Sequence, residues 1–114
     1  MTTVEEQEYL VLARSQDVRE GEPTSVVSDG EVILLTRVHG QLHAVSGICT
    51  HAYSELADGE LDGTRLYCSL HFACFDVRTG AVLEGPAEHP LRVYPVFEQD
   101  GDILLRRERR VQGA

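Results

Sequence analysis

Four of the chain's eight cysteine and histidine residues fall into two short pairs. Cys49 and His51 form a C-x-H step in G-I-C-T-H, and Cys68 and His71 form a C-x-x-H step in Y-C-S-L-H. Sixteen residues separate His51 from Cys68. Thiolate sulfur and neutral imidazole nitrogen are good ligands for iron, zinc and copper. A sulfur and a nitrogen on each of two loops would let the loops clamp a metal from both sides. Gly47 before the first pair, and Gly59 and Gly63 between the pairs, supply the tight backbone that such loops need.

The elements that must carry these loops read as strands. Glu31–Val38 is a β-rich run. His39-Gly40 follows it, and then Gln41–Ser46, in which polar and apolar residues alternate. Run, two-residue turn and alternating run predict a β-hairpin. A second hairpin is predicted from Leu91–Glu98 and Asp102–Arg106 around Gln99-Asp100-Gly101, and a short apolar strand over Tyr9–Ala13. Gly-containing turns at Asp58-Gly59, Asp62-Gly63 and Thr79-Gly80 punctuate the middle. No window carries a convincing helical stripe, although Val4–Leu12 can be misread as one. The expectation is an all-β domain of about eight to ten short strands. The ending R-R-E-R-R-V-Q-G-A reads as a charged, solvated tail after the last strand.

Length and charge narrow the function classes. At 114 residues the chain is expected to be one domain. Its longest apolar run, Val32–Leu35, is too short to span a bilayer, and its acidic beginning does not resemble a secretory signal, so a cytoplasmic protein is expected. Nineteen acidic residues stand against ten basic ones, all arginine, for a net charge of -9. That balance argues against nucleic acid and anionic membrane as partners and suits a basic protein partner. Three cysteines do not make a disulfide framework and read as metal ligands or reactive thiols.

Two metal readings fit the pairs. One is a structural Cys2His2 zinc site. The other is a two-iron, two-sulfide cluster with two cysteines on one iron and two histidines on the other. The first pair is C-x-H rather than the paired cysteines of a zinc finger, and each loop offers one sulfur and one nitrogen, so each can reach both irons.

On these residues the chain resembles a Rieske-type [2Fe-2S] ferredoxin, the electron carrier of bacterial aromatic-ring-hydroxylating dioxygenase systems. Besides the two pairs, the resemblance rests on F-A-C-F-D-V-R-T-G, G-P-A and P-L-R-V-Y-P-V between Phe72 and Val96. It implies one cluster, with Cys49 and Cys68 on one iron and His51 and His71 on the other. It implies a three-sheet antiparallel β-sandwich spanning residues 1–114, with a small cluster-binding subdomain near Val45–Gly85. Gly85-Pro86-Ala87 would be the loop covering the cluster's third side. The implied partners are a flavin-containing NAD(P)H-dependent ferredoxin reductase and a terminal oxygenase, served by a monomer that is not itself an enzyme. A Rieske redox subunit of a non-dioxygenase system is the rival within the family. A catalytic oxygenase is excluded by inventory, since only His39, His43 and His89 remain to hold a separate mononuclear iron.

Departures from the high-potential members of that family also carry information. Their two inter-loop disulfide cysteines correspond to Ser54 and Leu70 here. Their sulfur-directed serine and tyrosine hydroxyls correspond to Ala73 and Phe75. Fewer hydrogen bonds to sulfur predict a potential at the low end of the Rieske range, about -150 mV. Cys74 reads as a small buried residue, His39 and His43 as hairpin residues, and His89 as a loop residue. Tyr53 and Phe72 could form an apolar collar, and Glu55, Asp58, Glu60 and Asp62 could steer a basic partner.

Overall fold

The protein is described from a computed structural model. It describes residues 3–50, 54–69, 73–85 and 89–112, with side chains from Glu8 to Arg107 within those ranges. Ten strands are formed among them: β1 (Thr3–Arg14), β2 (Thr24–Ser28), β3 (Glu31–Val38), β4 (Gln41–Ser46), β5 (Glu60–Asp62), β6 (Arg65–Tyr67), β7 (Cys74–Asp76), β8 (Val82–Glu84), β9 (Val96–Gln99) and β10 (Asp102–Gln112). They make three antiparallel sheets ordered β1-β10-β9, β2-β3-β4 and β5-β6-β7-β8.

The central sheet explains why β3 is apolar without alternation. Ile33 and Leu35 pack with Leu10, Leu12, Ile103 and Leu105 of the β1-β10-β9 layer. Leu34 and Val38 pack on the other side with Leu56, Leu66, Phe75 and Val77 of the β5–β8 layer. A strand covered on both faces reads as a continuous apolar run, as this one does. Ile33, Leu34, Leu35, Leu56, Leu66 and Ile103 have no exposed surface, and full burial of each is worth about 1.5–3 kcal/mol. Arg37, on the same face as Ile33 and Leu35, ties the layers with polar bonds. Its two terminal nitrogens donate to both carboxylate oxygens of Glu98 on β9, at 2.8 and 3.0 Å, and its Nε donates to the Val18 carbonyl at 2.9 Å.

The first hairpin forms as expected, β3 pairing β4 around His39-Gly40 with both residues at positive φ. Two differences are informative. Leu91–Pro95 is not the first half of the second hairpin. It is a suture: the Ser46 and Tyr94 amides bond the Arg92 and Ala44 carbonyls at 2.8 and 2.9 Å, and Leu91 N–H donates to Gly80 O. The second correction concerns the charged ending, which as far as Gln112 is the continuation of β10 rather than a tail after the last strand. It pairs in register with β1, setting Glu5 and Glu6 against Arg110 and Arg109, and Glu8 against Arg107. Opposite charges directly across a ladder stabilise it, as for Glu8 and Arg107, whose Oε2 and Nη2 lie 2.7 Å apart.

Candidate metal centre

Both cysteine–histidine pairs sit on loops built the same way. In the first, Cys49 N–H donates to the Ser54 carbonyl at 2.9 Å, and an Ile48–Glu55 bridge closes the base. In the second, Cys68 N–H donates to the Ala73 carbonyl at 2.8 Å, where β6 turns into β7. Each loop therefore opens on its cysteine and closes on the residue five positions later. His51 and His71 fall between these ends in sequence but lie outside the described residues, as do Ala52, Tyr53, Leu70, Phe72, Pro86 and Ala87.

The loop bases are fixed from below. The Leu56 amide bonds the Gly47 carbonyl, and the Gly47 amide bonds the Val32 carbonyl, both at 2.8 Å. A side chain at Gly47 would meet the Val32 side chain at 2.6 Å, and one at Gly59 would meet the Tyr67 carbonyl. The missing β-carbons let Gly59, which ends the short helical turn Leu56–Asp58, lie against β6, and let Gly47 lie against β3. Beneath the loops Leu56, Leu66, Ala73 and Phe75 are fully buried.

Cys49 and Cys68 are each 1% exposed, belong to one apolar cluster and are in no disulfide. The loops also touch: Ser54 Oγ of the first lies 3.0 Å from Cys68 Sγ of the second. Two buried thiols on adjoining loops, each loop also carrying a histidine, make a donor set of two sulfurs and two nitrogens. That set suits a two-iron cluster ligated by both atom types. Among the described residues alone, no three His, Cys, Asp or Glu side chains gather to hold a metal.

Cys74 is buried on the opposite face of β7. Its cross-strand partner is Tyr67, and Arg65 and Asp76 share that face, whereas Leu66 and Phe75 face the apolar cluster that holds Cys49 and Cys68. His39 takes part in the hairpin turn, its amide donating to Glu20 Oε2 at 2.7 Å. His43 lies across from Thr36, half-buried, and burial and then the nearby Arg78 charge hold its imidazole below the ordinary value. His89 is exposed, and its carbonyl accepts the Thr50 hydroxyl at 2.7 Å, which fastens the segment after the Gly85 loop to the first ligand loop. Glu55, Asp58, Glu60 and Asp62 are all exposed beside the loops.

The Ser54–Cys68 and Thr50–His89 contacts are invisible to pattern reading, because serine and threonine carry no spacing signal. The D-V-R-T-G segment gains a physical meaning as the β7–β8 turn. Asp76 Oδ1 accepts the Arg78 amide at 2.8 Å, and its carboxylate pairs with the Arg78 guanidinium at 2.9 Å.

Residues 8–95 match the family model of the Rieske [2Fe-2S] domain. The chain is similar to the ferredoxin component of the p-cumate 2,3-dioxygenase system of Pseudomonas putida, 39% identical over 105 residues that cover 90% of this chain and 89% of that protein. Among solved structures it is similar to a ferredoxin from Sphingomonas yanoikuyae B1, with a TM-score of 0.84 and 32% identity, covering 88% of this chain and 99% of that one. It is also similar to a chain in the complex of reduced oxygenase and oxidized ferredoxin in carbazole 1,9a-dioxygenase, with a TM-score of 0.80 and 30% identity over 85% of this chain and 91% of that one.

Proposed function

The chain belongs to the Rieske [2Fe-2S] domain family, and from that premise we propose that it carries single electrons within a multicomponent aromatic-ring dioxygenase system. It takes one Rieske-type cluster, which sets the structural zinc reading aside. Cys49 and Cys68 hold one iron and His51 and His71 the other. When bound, the cluster supplies a one-electron couple. The observation that carries the assignment is the pair of buried thiols, each opening a closed loop that brings a histidine.

The protein's own residues do the rest. Leu56, Leu66 and Phe75 keep water from beneath the ligand sulfurs. The Thr50 hydroxyl fastens the His89 segment against the first loop. Exposed Glu55, Asp58, Glu60 and Asp62 give the flank a negative field that steers a basic docking face.

The electron is delivered to a terminal oxygenase. The similarity to a chain in the complex of reduced oxygenase and oxidized ferredoxin in carbazole 1,9a-dioxygenase supports this. The donor is a flavin-containing NAD(P)H-dependent reductase, and the compartment is the cytoplasm. Among the described residues no helix is long and apolar enough to cross a membrane. The whole of residues 1–114 acts as one domain, with residues about 45–85 as the cluster-binding subdomain.

A reductive titration of the holoprotein tests the role. It should take up one electron per two irons reversibly, and reduction by NADH should require an added flavin reductase. Hydroxylation of an aromatic substrate by the reduced protein alone would contradict a pure carrier.

A further inference from the structure

Resting on that ligand set, we infer that the Ser54 hydroxyl donates a hydrogen bond to the Cys68 sulfur and makes the bound cluster easier to reduce. Ser54 Oγ and Cys68 Sγ lie 3.0 Å apart, and in a metal-free thiol either atom could be the donor. A thiolate bound to iron has no proton left. The direction is then fixed, and the hydroxyl must donate.

Ser54 is held for this task. Its carbonyl accepts the Cys49 amide at 2.9 Å, and the next residue bridges Ile48 at the loop base. One residue thus bonds both cysteines, through its backbone to the first and its side chain to the second. Cys68 is 1% exposed, so the O–H dipole acts on the sulfur with little screening by solvent. Reduction adds one negative charge to the cluster. A donor aimed at a ligand sulfur stabilises the reduced state more than the oxidised one. Ala73 and Phe75, fully buried in the same cluster as both cysteines, have no hydroxyl to give. Ser54 therefore works against the low potential expected from those two positions.

The test is Ser54→Ala in the cluster-loaded protein. Iron and sulfide content should stay at the wild-type level. The reduction equilibrium constant should fall about three- to tenfold, tenfold being about 59 mV for a one-electron couple. The iron–sulfur stretches in resonance Raman spectra should shift and lose part of their sensitivity to D2O. Ser54→Thr, which keeps the hydroxyl, should stay near the wild-type potential.

An unchanged potential in a fully loaded Ser54→Ala protein overturns the inference. If that variant does not load, Ser54→Thr and Ser54→Val decide, since they match in shape and differ in the hydroxyl. Equal potentials in that pair also overturn it. Failure of the ligand set itself looks different, because the wild-type protein would then show no mixed-ligand iron cluster at all.

Discussion

At the scale of single residues, the two cysteines proposed as ligands differ from the third in the face they occupy. Cys49 and Cys68 join the apolar cluster under the loops, while Cys74 lies on the other side of β7 with Tyr67. Cys49→Ala or His71→Ala should abolish the cluster's visible absorption, and Cys74→Ala should leave it unchanged. A normal spectrum from the His71→Ala protein would contradict the ligand set. Asp76 makes a different kind of prediction. The Arg78 guanidinium, bonded to its carboxylate, holds the Asp76 carboxyl below the usual range. A carboxyl depressed by folding stabilises the protein above its unfolded value, about 3.9, and loses that contribution as pH falls through the folded value. Asp76→Asn should therefore narrow the gap between melting temperatures at pH 6 and pH 3. An unchanged gap would mean that the pair adds nothing to acid stability.

At the scale of elements, the β7–β8 turn positions the suture that joins the cluster-bearing sheet to β4. Gly80 adopts a φ of +77°, its carbonyl accepts the Leu91 amide, and a β-carbon there would collide with the Leu91 carbonyl. Gly80→Ala should cost about 1–3 kcal/mol, seen as a lower denaturation midpoint. A midpoint equal to wild type would mean that the turn relaxes freely. His39-Gly40 between two β runs announces its hairpin because the signal is local. The Cys49 and Cys68 loops were legible as candidates for the same reason, as cysteine and histidine are scarce and their spacing is short. The pairing of the ending with the beginning was not legible. Its evidence is complementary charge between Glu8 and Arg107, ninety-nine positions apart, and each end alone looks like solvated surface. The Leu91–Pro95 segment misled for a related reason: its partners, Gly80 and β4, are remote in sequence.

At the scale of the whole molecule, β3 makes the two cores interdependent. Leu34 faces the ligand-bearing layer and Leu35 faces the β1-β10 layer, both with no exposed surface. Truncating either to alanine should cost about 2–5 kcal/mol. Although Leu35 packs away from the cysteines, Leu35→Ala should lower the temperature at which the cluster bleaches by about 10 °C or more, and Leu34→Ala should do the same. Bleaching that ignores Leu35→Ala would mean that the cluster-binding part melts alone. The net charge of -9 belongs to this scale too, and with acidic residues beside the loops it suits docking by a basic face rather than capture of nucleic acid. All of this depends on mixed sulfur and nitrogen ligation of two irons. The most direct measurement is the low-temperature electron paramagnetic resonance spectrum of the dithionite-reduced protein, with iron, sulfide and zinc counted on the same sample. A rhombic signal whose average g lies below that of all-cysteine ferredoxins, with two irons and two sulfides per chain, is the expected result. A silent spectrum with one zinc per chain would contradict it.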